Sequence, residues 1–274
     1  MIVFTAMVGM FLSTPAMVPV DAFLFGSIGI GLAAASAAAI NHIVDEKIDS
    51  IMARTSGRPL PKGKLSIQAA IIFAICLCLL SMLVLGLLVN VLTAVLTLVS
   101  LIGYGFIYSM YLKRATPLNI VIGGAAGAAP PMLGWTAISG SLDPNSLLLF
   151  LIIFAWTPPH FWALAICRRN EYAKANVPML PVTHGVEFTR LHILLYTVIL
   201  FVISLLPYIF WMSGLTYLFG AVVLGGWFLF YAIKMQKDHS DLLAMQTFSY
   251  SIVYLLALFA FLLVDHYILT LVQT

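Results

Sequence analysis

Asn41, Asp45 and Asp49 recur at i, i+4 and i+8. Four residues overshoot a 3.6-residue turn by only about 40°, so the three side chains share one helical face. Two carboxylates and an amide oxygen suit a hard octahedral cation such as Mg²⁺. Arg54, Arg58 and Lys62 continue at the same spacing, and a guanidinium fork binds phosphate oxygens bidentately. An acidic stripe that runs into a basic one is what a Mg²⁺-diphosphate requires, because the metal bridges carboxylates and phosphates that otherwise repel. The competing reading is a juxtamembrane loop with solvated charges and helical ion pairs. Asn41 favours the site, since it lies inside an apolar run where a polar group is costly.

Three further segments carry chemistry. Tyr104, Tyr108 and Tyr111 precede Lys113 and Arg114. They read either as an interfacial aromatic belt with basic anchors or as phenols and cations around the same phosphate. His160 follows Pro158 and Pro159 within an apolar run, where an ionisable residue is a functional candidate, with pairing to a proline-freed carbonyl as the alternative. Arg168, Arg169, Asn170 and Glu171 come next, Glu171 being the expected third acidic ligand. Residues 178–184, low in charge, read as a lid. The run LNIVIGGAAGAAPPMLGW (residues 118–135) is rich in small residues. Gly123 and Gly127 permit close helix approach, and Pro130-Pro131 breaks the hydrogen-bond ladder where a bulky apolar substrate can lie.

The elements that must hold these residues follow from composition. Of 274 residues, 62% are hydrophobic and 8% charged, with mean hydropathy +1.08. A soluble domain carries about 25% charged residues, so a soluble enzyme and a disordered chain are both excluded. The apolar runs are about 20 residues long, the length of a membrane-spanning helix rather than of a barrel strand. Eight such runs occupy approximately residues 22–44, 67–89, 91–111, 118–138, 147–167, 191–211, 215–233 and 245–264. A ninth, residues 1–12, reaches only about 18 Å at 1.5 Å per residue and lacks the basic flank of a signal peptide. Cys76, Cys78 and Cys167 all lie in apolar runs and read as structural filler.

All 13 Lys and Arg fall in four alternate loops, whereas the opposite connections carry Asp21, Asp143 and Asp265. The positive-inside rule puts the basic loops in the cytosol. The longest of these, about residues 45–66 and 168–190, are where function is expected. The last three spans, from Leu191 onward, carry few polar residues and read as scaffold.

The run NHIVDEKIDSIMARTSGRPLPKG (residues 41–63) resembles the first acidic motif of the UbiA-type intramembrane prenyltransferases. YLKRATPLNIVIGGAAGAAPPMLGW (residues 111–135) and PHFWALAICRRNEYAKANVPMLPVTHG (residues 159–185) resemble the haem-farnesylating branch of that family. The resemblance implies an all-α polytopic membrane protein forming a single domain over residues 1–274, with nine transmembrane helices around a central cavity. It implies transfer of a farnesyl group from farnesyl diphosphate to a vinyl group of haem B, with water addition, giving haem O. Asn41, Asp45 and Asp49 are then the Mg²⁺ ligands, to which the reading of the residues themselves adds Glu171. Arg54, Arg58, Lys113 and Arg114 neutralise the leaving group, and His160 completes the catalytic set. Tyr108, Tyr111, Trp162, Arg168 and Arg169 are the expected binding residues. The implied setting is the cytoplasmic membrane of a bacterium, with a haem A synthase as partner and no nucleic acid.

The family's second aspartate-rich motif is replaced here by the segment from His160 to Glu171. Its usual Lys-Pro-containing segment before the first helix is not seen, so a shortened start is expected. The rival readings are a relative that prenylates a quinone precursor or a chlorin, and a cation-coupled transporter with Asp45 and Asp49 as its ion site.

Overall fold

The computed structural model describes the backbone of residues 1–273 and the side chains of residues 1–271. The described residues are almost wholly helical. The helices are α1 (Ile2–Leu12), α2 (Val20–Val44), α3 (Glu46–Ile51), α4 (Ile67–Leu88), α5 (Val91–Ile102), α6 (Lys113–Ala115), α7 (Asn119–Ala128), α8 (Pro130–Ser139), α9 (Pro144–Cys167), α10 (Arg169–Lys174), α11 (Leu180–Thr183), α12 (Gly185–Ile209), α13 (Leu215–Lys237) and α14 (Asp241–Gln273). Between α5 and α6 the chain continues as a π-helix, Gly103–Leu112.

Among the described residues, seven helices are long and apolar enough to cross a membrane, with α5, the π-helix and α6 counting as one. The two other expected passes take different forms. Residues 118–138 form α7 and α8, with the ladder interrupted at Ala129 because Pro130 and Pro131 begin α8 without N–H groups. The helix α1 is short, as its sequence requires.

Polar side chains set the ends of the spans. Ser66 caps α4 by accepting from the Ala69 N–H, Asn90 caps α5 through the Thr93 N–H, and Asp143 caps α9, where Pro144 takes the first turn. Asp265 of α14 is buried and accepts the N–H groups of Gly214 and Tyr217 at the start of α13. An acidic residue read as marking one membrane surface is thus a cap supplied in trans.

The central helix is α9, which packs against α7, α8, α12 and α14. Helix α4 shows the opposite pattern, with Ile71, Ile72, Phe73, Ile75, Leu79 and Leu80 all exposed. In water such a face would aggregate; here it is the surface offered to acyl chains. Helices α1 and α8 cross so closely that a Cβ on Gly134 would overlap the Ala6 carbonyl, and one on Gly9 the Pro131 carbonyl. With few hydrophobic gains available in lipid, contact of this kind supplies the packing.

Candidate active site

One face of α2 builds both halves of the site. Asp45 and Asn41 continue at four-residue spacing as Ala37 and Ala33, beside Ala38, Ala34 and Ile30. The acidic end lines a polar pocket of about 120 Å³ with Asp49, Arg54, Arg58, Lys113 and Tyr172. The alanine end lines an apolar cavity of about 410 Å³, faced across by Gly123, Gly124, Ala126 and Gly127 of α7. Tyr104, Tyr108, Ile120 and Phe161 line both, so the two spaces adjoin. Small residues on two facing helices leave the volume that larger side chains would fill.

The acidic residues are buried, Asp45 at 2% and Asp49 at 3% exposure. Each is held by a cation: Lys113 Nζ meets Asp45 Oδ2 and Arg58 meets Asp49 Oδ2, both at 2.5 Å. Asp45 Oδ1 is buried with no hydrogen-bond partner, an arrangement costing about 1–3 kcal/mol unless something supplies positive charge. Asn41 donates its amide N–H to Ser109 Oγ at 3.1 Å, which leaves its carbonyl oxygen as the acceptor. Two carboxylates and one carbonyl oxygen fit Mg²⁺, which is held by one or two carboxylates plus substrate phosphates rather than by a protein cage. Among the described residues no cluster of three or more His, Cys, Asp or Glu forms such a cage.

The π-helix explains how the tyrosines enter. Its extra residue per turn places buried Ser109 where it meets Asn41 and itself donates to the Tyr104 carbonyl at 2.9 Å. π-Turns of this kind gather at functional sites. Tyr104 and Tyr108 stack with ring centroids 5.4 Å apart. Tyr108 fits because residue 123 is glycine; a Cβ there would overlap its ring. Tyr172 of α10 closes the polar pocket. Burial raises the pKa of its hydroxyl above the ordinary tyrosine value, Arg54 pulling the other way, so it stays a neutral donor.

Several expected site residues lie elsewhere. Glu171 pairs with Arg168 at 2.7 Å and does not line the polar pocket, because the turn of α10 that brings Tyr172 inward carries its neighbour away. Arg169 pairs with Asp241 at the start of α14. Arg114 reaches the Val44 carbonyl at 3.3 Å from an exposed position, and Tyr111 is 70% exposed. Trp162 is fully buried away from both spaces, edge-on to Tyr196 and His192. The segment read as a lid packs Met179 and Leu180 into the core beside the preceding Val177, with Met179 on the pocket wall. Lys62 is absent from the pocket lining, whereas Arg54, Arg58 and Lys113 belong to it.

His160 lines the apolar cavity. Its helix runs unbroken through Pro158 and Pro159, and its Nδ1 lies 2.6 Å from Ser251 Oγ on α14. The last span therefore contributes more than scaffold. Ser251 and Ser109 escaped the sequence reading because single serines in apolar helices usually bond their own backbone; Tyr172 sat in a charged loop with nothing to set it apart.

A nonpolar chamber opening from a pocket of acids and bases is built for an amphiphile with an anionic head. The model of the UbiA prenyltransferase family matches residues 2–263. The chain belongs to the UbiA prenyltransferase family. It is 63% identical to a protoheme IX farnesyltransferase of Nitrosococcus oceani, over 98% of this chain and 90% of that relative. With one of Methylococcus capsulatus it shares 58% identity over 97% of this chain and 90% of the relative. Among solved structures, a digeranylgeranylglyceryl phosphate synthase superposes with TM-score 0.82 at 19% identity, covering 97% of this chain and 93% of that one. A UbiA homologue from Archaeoglobus fulgidus bound to DMAPP and Mg²⁺ gives 0.67 at 18% identity, with 95% of each chain covered. These structures share the UbiA fold, and the last shows that a UbiA homologue holds a prenyl diphosphate together with Mg²⁺.

Proposed function

We propose that this UbiA-family enzyme transfers a farnesyl group from farnesyl diphosphate to a vinyl group of haem B, adding water to give haem O and releasing diphosphate. The observation that carries this reading is the polar pocket of Asn41, Asp45 and Asp49 opening onto the alanine- and glycine-lined cavity through shared walls. Similarity to protoheme IX farnesyltransferases along nearly the whole chain supplies the acceptor.

When bound, Mg²⁺ supplies Lewis-acid polarisation of the diphosphate oxygens. Asp45, Asp49 and the Asn41 carbonyl would hold it. Arg54, Arg58 and Lys113 then face the leaving group, where fixed positive charge in a site shut off from water acts most strongly as negative charge develops. Tyr172 donates its hydroxyl to the same phosphates. The cavity excludes water from the prenyl chain, and the paired faces of Tyr104 and Tyr108 stand where the allylic cation forms, offering π density to positive charge. The basic loops face the cytosol of a bacterial cell, and a haem A synthase consumes the product; co-purification of the two from detergent extract checks that partnership.

The test uses membranes containing this chain with haem B, farnesyl diphosphate and Mg²⁺, and Asp45→Ala as control. A haem heavier by one farnesyl and one water, absent in the variant, is expected from liquid chromatography and mass spectrometry. Prenylation of a phenolic acid in place of haem would move the chain to another branch of the family, and transfer to neither would refute the assignment.

A further inference from the structure

We propose that Ser251 is a positioning residue which holds His160 in its Nδ1–H tautomer, so that Nε2 takes the proton of the water added to the product; this rests on the reaction read above. The proton order follows from two contacts. Ser251 Oγ lies 2.6 Å from the Phe248 carbonyl and 2.6 Å from His160 Nδ1. A carbonyl only accepts, so the hydroxyl proton goes to Phe248, and Oγ remains as the acceptor for an N–H on Nδ1. The neutral ring then carries its lone pair on Nε2.

The surroundings fix which edge of the ring is free. Trp156 stacks on it at 4.1 Å and 19°, and Phe248 at 4.6 Å and 25°. The Trp156 indole N–H donates to the Ser251 carbonyl at 2.7 Å, which locks α9 to α14 at this level. Phe161 packs edge-wise against the ring at 4.9 Å and 77°, and with Nδ1 engaged Nε2 is the ring nitrogen left for the cavity that His160 lines. Among the described residues no group hydrogen-bonds that nitrogen. The next residue, Phe161, lines both the polar pocket and the apolar cavity. The bond that breaks in a prenyl diphosphate joins its polar head to its apolar tail, so it lies at this same junction.

The step balances as follows. The terminal vinyl carbon bonds to the first prenyl carbon as the diphosphate leaves, and the inner vinyl carbon is left positive. A water oxygen gives an electron pair to that carbon, one of its O–H bonds breaks toward oxygen, and the proton goes to Nε2. Ser251 continues to accept from Nδ1–H throughout. The imidazolium returns the proton to the departing diphosphate or to water. If no base takes the water proton, the cation instead loses a proton from the adjoining carbon, giving an alkene lighter by one water.

That partition is the readout, measured on the full chain in membranes with haem B, farnesyl diphosphate and Mg²⁺. Ser251→Ala is expected to raise the alkene-to-alcohol ratio roughly tenfold while total transfer stays within a few-fold, and Ser251→Thr to restore the ratio. His160→Phe, which keeps the stack, should raise it by roughly 10²-fold, the lower end of general base catalysis. An unchanged ratio in both variants overturns the proposal. So does a His160→Phe enzyme that binds farnesyl diphosphate normally yet transfers nothing, since the ring would then act in ionisation or haem docking. If the wild type yields no farnesylated haem, the reaction reading fails by itself. The tautomer is read independently from ¹⁵N-histidine spectra of the purified protein, with the His160 signal identified by its loss in His160→Phe. A proton on Nδ1 is expected, and one on Nε2 refutes the assignment.

Discussion

The cavity measures a prenyl chain, and Ala34→Leu tests the measurement. Eleven residues of α2 separate Asn41 from Ile30, the cavity-lining residue of α2 farthest from it, about 16 Å at 1.5 Å per residue. An extended carbon chain advances about 1.2 Å per bond, from the same geometry that gives about 3.5 Å per three-bond residue. Each four-bond isoprene unit therefore spans about 5 Å by that figure, and a farnesyl chain about 15 Å. Farnesyl fits the length from Asn41 to Ile30; geranyl stops about 5 Å short of it. Ala34 stands seven residues below Asn41, about 10 Å along the axis, beside the third isoprene unit alone.

Leucine at this position adds three carbons to the cavity and displaces a similar part of the farnesyl tail. At about 0.8 kcal/mol per buried carbon the loss is about 2.4 kcal/mol, roughly 50-fold in kcat/KM for farnesyl diphosphate. Geranyl diphosphate should be used as before. The assay is competition between the two diphosphates for haem B, with products separated by mass. Ile30→Ala should act in the opposite sense and admit geranylgeranyl diphosphate. Equal losses for both substrates in Ala34→Leu, or none for either, would show that the prenyl tail lies elsewhere and refute the reasoning.

Three other outcomes follow from the contacts. Lys113→Met removes the cation from Asp45, and breaking a buried pair costs about 3–5 kcal/mol; the unliganded variant should melt earlier than wild type in a detergent thermal-shift assay, and Mg²⁺ alone should stabilise it more than it does the wild type. Gly123→Ala pushes the Tyr108 ring from its seat and should raise KM for farnesyl diphosphate in steady-state kinetics, with little change in the amount of folded protein. Asp265→Asn weakens the cap on α13 and should cost about 1–2 kcal/mol, lowering the melting temperature in detergent without altering turnover per folded molecule.

The sequence made the span pattern readable because hydropathy in a bilayer is a one-dimensional property; each backbone must satisfy itself within its own helix. The acidic stripe was readable for a related reason: Asn41, Asp45 and Asp49 follow one another along the same stretch of chain, where local periodicity holds. What escaped was contact between distant segments. Ser109 meets Asn41, and Ser251 meets His160, across 68 and 91 residues. Tyr172 enters the pocket while its neighbour Glu171 does not, a difference of about 100° around a helix that no spacing in a short charged loop could decide. The π-helix also departs from the 3.6-residue turn, so which of Tyr104, Tyr108 and Tyr111 face the pocket was not legible from their spacing, and Tyr111 is the one left exposed.

The charges of the pocket explain how one site can be stable both empty and loaded. Two buried carboxylates without partners would be prohibitive, and two buried cations equally so. The charges are matched in pairs, Asp45 with Lys113 and Asp49 with Arg58, while Arg54, exposed at the pocket's edge, has no carboxylate partner among the described residues. A Mg²⁺-diphosphate brings both signs of charge together. The carboxylates would pass to the metal as Lys113 and Arg58 pass to the phosphates, so that each buried carboxylate keeps a cation beside it. The unpaired Asp45 Oδ1 and the uncommitted Arg54 are the two points where this exchange can begin. Neither the metal alone nor the diphosphate alone completes it, since each leaves one set of protein charges without partners. On the proposed reaction the pocket would thus favour the pair over either component, and the prenyl chain would be ionised only with everything that stabilises its leaving group in place.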